Sequence, residues 1–230
     1  MSKKTCTFFN CSFKKHSHSF YRILGKEGAI IMEKPTAKEK VMEAAADLFY
    51  HNGFHGTSVR DIAERANANV SLISYYFKSK QGLLESAVTS YYDEYLGIIE
   101  KQLETYQTAS SLHILEKVLH EVLSFQMEHY QLTAVVHREL SLDSTFAREM
   151  QVTYLAKENY FLKNLFTDSL SKEWKRLQDV LFIQWKGMLA SPFTMKHERI
   201  EQLRDSIEKE KFIADYAFMM QNWLHHFVNK

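Results

Sequence analysis

The chain has 230 residues, a formal net charge of +1, 45% apolar side chains, and only 7 Gly and 2 Pro. That length can bury a real core in one large or two modest domains, the scarcity of Gly and Pro suits an all-helical protein, and near-neutrality excludes a chain drawn to nucleic acid by bulk charge. No apolar run approaches the ~20 residues that span a bilayer, so no membrane insertion is expected, and two early cysteines give no support for a disulfide-built secreted fold.

Residues 1–31 hold Lys, Ser, His and Phe with no sustained period. Cys6, Cys11, His16 and His18 read Cys-x4-Cys-x4-His-x-His, which lacks the ligand spacing of a zinc finger, so no metal site is expected. Lys26-Glu27-Gly28 can be encoded by a ribosome-binding sequence just upstream of Met32. This segment is therefore expected to be a non-native or disordered extension, with translation starting at Met32.

Thr36 and Glu39 form a capping box for a helix from Ala37 to about Asn52, which Gly53 ends. Val41, Ala44, Ala45, Leu48 and Phe49 make its inner face, with Phe54 wedged behind. Ser58 and Asp61 cap a second short helix that buries Val59, Ile62 and Ala63. The turn falls at Ala66-Asn67-Ala68, where Asn67 tolerates a left-handed backbone. Asn69 caps a third helix expected to bury Val70, Ile73 and Phe77 and to leave Ser71, Leu72, Ser74, Tyr75 and Tyr76 outside. Two short helices joined by a tight turn are the shape that enters a DNA groove. Lys78 and Lys80 follow, where ammonium groups could hold phosphates.

Gly53-x-x-x-Thr57-Ser-Val-Arg-Asp-Ile-Ala63, Ala66-x-x-x-Val70 and Tyr76-Phe77-x-x-Lys80-x-x-Leu83-Leu84 together resemble the N-terminal domain of TetR-type DNA-binding regulators, over roughly Ala37 to Val88. Asn67 stands where Gly is common in that family, and Ser74 where an aromatic is common. The resemblance implies that Thr57, Tyr76 and Lys80 contact phosphates and that Asn69, Ser71, Leu72 and Tyr75 face bases of double-stranded DNA. Ser58, Arg60 and Lys78 complete the candidate DNA-binding set. Val70 and Leu72 could meet thymine methyl groups, and the lack of Arg or Asn in mid-helix limits bidentate reading of G or A. Residues 36–82 carry six cationic side chains against five acidic ones, again +1. Affinity must then come from cation placement and from a dimer doubling the contacts.

A bracing helix is expected from Ser79 to about Tyr106, so the DNA-binding domain spans 36–82 and a larger helical regulatory and dimerisation domain spans 83–230. Further helices are read at Leu112–Phe125, Leu132–Leu140, a long one capped by Asp143 or Ser144 and running to Leu170, Leu177–Leu189 closed by Ser191-Pro192, a short turn from Glu198 to Leu203, and Glu208–Val228. The last two long helices are apolar on both sides, a surplus that points to a homodimer built as a four-helix bundle. Phe125, Tyr154 and Phe161 could line a pocket, though their spacing also suits plain core. His51, His55, His225 and His226 read as solvated or core-edge side chains.

Arg138-Glu139-Leu140-x-x-Asp143-Ser-Thr and Arg148-Glu149, with Leu72-Ile-Ser-Tyr-Tyr-Phe-Lys78, resemble the RefZ-like branch of the same family, whose members in spore-forming bacilli act on the division protein FtsZ. This resemblance implies a palindromic DNA site, a role in cell division or sporulation, a cytoplasmic, nucleoid-associated location, and Arg138, Glu139, Asp143 and Arg148 as candidate FtsZ-binding residues. The alternative is a repressor released by a small-molecule effector. A solvent-open pocket with converging polar groups would favour the alternative, and a filled apolar core the former. No phosphate-cradling Gly loop, nucleophile elbow or His-Glu-x-x-His is present, so neither enzyme chemistry nor a cofactor is expected.

Overall fold

The structure, a computed structural model, describes residues 35–194, 200, 202–203 and 206–228. The extension expected over 1–31 and most of the turn expected at Glu198–Leu203 lie outside these residues. Three short helices open the described chain: α1 (Ala37–Asn52), α2 (Val59–Arg65) and α3 (Val70–Phe77). Each begins on the side-chain cap read from the sequence. Thr36 and Glu39 make a reciprocal box, Ser58 and Asp61 another, and Asn69 accepts from the Ser71 N–H at 2.9 Å. Gly53 and Asn67 take the positive φ values of 77° and 49° that the helix exits need.

The first three helices share a core of Val41, Ala45, Phe49, Ile62, Ile73 and Phe77. Val70 is not part of it, contrary to expectation, and stays 39% exposed. It is the first residue of α3, and helical side chains lean toward the N-terminus, so Val70 projects past the helix end and misses the core.

Helix α4 (Lys80–Thr105) braces this head with Leu83, Leu84, Ala87 and Val88, then carries Tyr91, Tyr92, Tyr95 and Ile99 into the body. Gly82, in its first turn, is obligatory: a Cβ there would lie 2.2 Å from the Phe77 carbonyl oxygen. The body continues with α5 (Ser111–Glu128) and α6 (Tyr130–Leu140). Next comes α7 (Thr145–Met150), which passes through a π-helical stretch, Gln151–Leu155, into α8 (Ala156–Ser169). The single long helix expected here is thus interrupted. Beyond the π-helical stretch α8 turns Glu158, Leu162, Leu165 and Phe166 inward, and Tyr160, two residues on from Glu158, faces solvent.

Helix α9 (Gln178–Thr194) overruns its expected end, because Pro192 lies inside it. Proline at 192 cannot donate to the Met188 carbonyl one turn earlier. The Tyr216 hydroxyl donates to that carbonyl instead, at 2.7 Å, so the missing bond is replaced from the last helix, α10 (Ser206–His225). An antiparallel bridge between Leu170 and Val228 ties the end of α8 to the residues after α10. No helix among the described residues is long and apolar enough to cross a membrane.

Candidate nucleic-acid interface and a cavity behind it

Helix α3 shows its outer face to solvent. Asn69, Ser71, Ser74, Tyr75 and Tyr76 are all exposed, Leu72 is half-buried, and Tyr75 is 80% exposed, with its ring set edge-on against Tyr76 at 5.1 Å. An aromatic side chain held so far out of the core has no folding role that accounts for it. Ser58, Arg60 and Lys78 are exposed around the same end of the head. Lys78 closes α3 with a φ of 65°, so its side chain leaves at the junction with α4.

Two members of the predicted set are oriented differently. Thr57 is buried, with its hydroxyl within reach of the carbonyls of Gly53 (2.8 Å) and Leu48 (3.2 Å). Lys80 turns its ammonium inward, donating to the carbonyls of Phe54 and Thr57, each at 2.7 Å, and standing 4.4 Å from the centre of the Phe54 ring. Both side chains hold the loop between α1 and α2. That loop sets where Ser58 and Arg60 point, so Thr57 and Lys80 shape the candidate surface from beneath.

The head is tied to the body through α6. Arg138 donates through Nη2 to the Phe49 carbonyl at 2.8 Å, and Gln131 donates to Asp47 at 3.1 Å. Asp47 also pairs with Arg65 of α2 at 3.0 Å, so one carboxylate joins three helices. Arg138 and Glu139, 3.2 Å apart, are therefore spent partly on this junction, whereas Asp143 and Arg148 pair at 3.0 Å on the open surface. Of the histidines, His51 lies by Asp47 (3.4 Å), His225 by Glu116 (2.6 Å), and His55 and His226 are exposed.

Immediately behind α6 the body holds a cavity of about 280 Å³, lined by Tyr91, Tyr92 and Tyr95 of α4, Gln126 of α5, His137 of α6, and Glu158, Lys186 and Leu189 from α8 and α9. Phe125, Tyr154 and Phe161, the aromatics singled out in the sequence, do not line it. Phe125 packs on Tyr91 at 5.1 Å, the Tyr154 hydroxyl donates to Asp93 at 3.0 Å, and Phe161 is half-buried beneath the Lys157 ammonium. Glu158 is buried and accepts from the Tyr95 hydroxyl (2.8 Å) and from Lys186 on the same oxygen, Oε1. Gln126 Oε1 and His137 Nε2 are buried with no hydrogen-bond partner. Burial pushes the Tyr91, Tyr92 and Tyr95 hydroxyls above their ordinary range, so they remain donors, and burial likewise pushes the His137 imidazole below 6.5 and keeps it neutral.

Glu158 was legible only in hindsight. It stands four residues before Leu162 and eight before Phe166, on the buried stripe of α8. A carboxylate on an apolar stripe is the signal that could have found it.

A helix-turn-helix head with an exposed recognition helix, braced by a long helix onto a helical body, defines a DNA-binding transcriptional regulator. A family model described as "Bacterial regulatory proteins, tetR family" matches residues 41–87. The probable HTH-type transcriptional regulator YttP of Bacillus subtilis is 36% identical over 193 residues, covering 83% of this chain and 93% of that protein. The chain belongs to the TetR family, whose members bind DNA and act as dimers and are regulators rather than enzymes. Among solved structures, a TetR-family transcriptional regulator from Bordetella parapertussis superposes with a TM-score of 0.65 at 17% identity, over 84% of this chain and 98% of that one. The regulator FadR from Bacillus subtilis, solved in complex with stearoyl-CoA, superposes at 0.57 with 19% identity, over 79% and 96%. At such identities these two speak for the fold alone.

Proposed function

We propose that this chain is a homodimeric, sequence-specific DNA-binding regulator that recognises palindromic sites and, in the manner of the RefZ-like branch, modulates assembly of the FtsZ division ring in the cytoplasm at the nucleoid. The exposed outer face of α3, Tyr75 above all, carries the DNA-binding part. The interface then comprises Ser58, Arg60, Asn69, Ser71, Leu72, Tyr75, Tyr76 and Lys78, with Thr57 and Lys80 supporting it. Residues 36–82 form the DNA-binding domain and 83–230 the regulatory and dimerisation domain. Dimerisation is assigned to α9 and α10, which leave Ile183 70%, Phe218 62% and Met219 64% exposed, more apolar surface than a lone body would show to water. The division role draws on the Arg138–Arg148 motif, whereas likeness to a Bacillus regulator along almost its whole length supports the regulator reading alone. Asp143 and Arg148 are the accessible part of that motif. Purified protein, with and without its DNA site, tests this role on FtsZ polymerisation; no change in either state overturns it.

A second reading has its own observation. The body is not a filled apolar core: it holds the Glu158–Lys186 cavity one helix away from the junction with the head. Control by a small-molecule effector, alone or in addition to a protein partner, fits that arrangement. Ligand entry beside His137 would shift α6, and with it the Arg138–Phe49 and Gln131–Asp47 ties that set how the two heads are spaced. Mapping bound sites across the chromosome separates the extremes. A few dispersed sites favour the division role, and one site beside its own gene favours a local repressor.

A further inference from the structure

We propose that the cavity takes a compact organic amine, whose ammonium displaces that of Lys186 from the Glu158 carboxylate. This rests on the effector reading above and adds the chemistry of the ligand. Glu158 is the buried carboxylate of the cavity, and it already binds one ammonium group. That group is supplied by a side chain reaching in from the rim, since the Lys186 side chain is 27% exposed while that of Glu158 is 6% exposed. A lysine stem is flexible and its head is strongly hydrated, so it can swing out to water without unfolding anything.

With Lys186 gone, an ammonium on Glu158 would share the carboxylate with the Tyr95 hydroxyl, in a cavity whose wall includes three tyrosines. Tyr91 and Tyr95 lie nearly parallel, 16° apart, and Tyr92 stands edge-on to both. Gln126 Oε1 and His137 Nε2, both buried and without partners, belong to residues lining the same cavity and could take a second polar group. An anionic ligand would instead meet Glu158 head-on. The volume of about 280 Å³ lies just under the ~300–1,000 Å³ of pockets that take drug-sized ligands, which points to a metabolite of modest size.

Calorimetric titration of the full chain at pH 8 with 2-phenylethylamine, 2-phenylethanol and phenylacetate tests this directly. Saturable binding of the amine alone is expected. Lys186→Met removes the resident ammonium and should tighten amine binding by up to about fivefold, the worth of one partly exposed ion pair. The double variant Glu158→Gln/Lys186→Met leaves no buried charge unpaired; with an unchanged circular dichroism spectrum, it should lose amine binding. Amine affinity that ignores Lys186→Met, or that survives the double variant, overturns the proposal. Binding of the alcohol or the acid in place of the amine overturns the ligand class while leaving effector control standing, and binding of no probe overturns the amine site. Effector control itself fails separately, if the small-molecule fraction of a cell extract leaves DNA binding unaltered.

Discussion

In the head, the caps find partners three residues away, Thr36 with Glu39 and Ser58 with Asp61, and even the longer reach of Lys80 ends on the carbonyls of Phe54 and Thr57. The body has local caps too, but its buried Glu158 pairs with Tyr95 and Lys186 of other helices, and the buried side-chain atoms without a partner among the described residues all fall there: Gln126 Oε1, Tyr130 Oη, His137 Nε2, Ser171 Oγ and Trp185 Nε1. Unsatisfied buried groups cost stability unless something else uses them. The contrast separates a head built to present one shape from a body built to accept more than one. It also places adaptability on the side of the molecule away from DNA.

The sharpest way to break that contrast is to remove the body's uncovered face. Ile183→Glu combined with Phe218→Glu should give monomers by sedimentation velocity and weaken operator binding by roughly 10²–10⁴-fold, the gain of two linked heads, while an isolated recognition surface stays intact. Next in size is the head's own rigidity. Gly82→Ala puts a methyl group against the Phe77 carbonyl and should cost about 2–3 kcal/mol in urea denaturation, in the range of overpacked sites; a smaller loss would mean that the α3–α4 junction yields.

Lys80→Ala should cost about 2 kcal/mol, the worth of hydrogen bonds from a charged group, and weaken DNA binding without changing its salt dependence. A salt slope that falls by about one instead assigns Lys80 a phosphate and restores the role expected from the sequence. The smallest effect belongs to the body. His137 has a lowered pKa in the fold because burial disfavours its charged form. On acidification the unfolded chain therefore takes up that proton first. Stability from this residue is complete above about pH 6.5 and is lost as pH falls below it. Ring-proton NMR should show His137 titrating below 6.5; a value at or above it would mean that the cavity is wetter than its walls imply.

The head was almost wholly legible in the sequence, because its signals are local. A cap, its acceptor three residues on, and a turn residue with positive φ are all set within one helical turn. Even there, Val70 and Lys80 escaped. Periodicity says which side of a helix a residue is on, and it says nothing of where the helix ends against its neighbours or where a long side chain folds back. The helices of the body were legible nearly in extent, apart from the π-helical break between α7 and α8, but its cavity was not. Glu158 meets Tyr95 across 63 residues and Lys186 across 28, and periodicity, which sets it on the buried stripe with Leu162 and Phe166, names neither partner. The exposed apolar residues of α9 and α10 were the exception, since a surplus on both sides of a helix is visible without knowing what covers it.

Pro192 and Tyr216 illustrate what such long-range repair implies for how this sequence could change. Proline is tolerated within α9 because a phenol from another helix caps the carbonyl it abandons. The two positions are therefore contingent on each other. A chain that acquired the proline first would have carried an orphaned Met188 carbonyl, and a chain that lost the phenol today would inherit one. If alanine replaced Pro192, the N–H restored to the helix would take over that carbonyl, and Tyr216→Phe would become nearly silent. The order in which substitutions arrive, and not only their identity, decides which sequences can cross this pair.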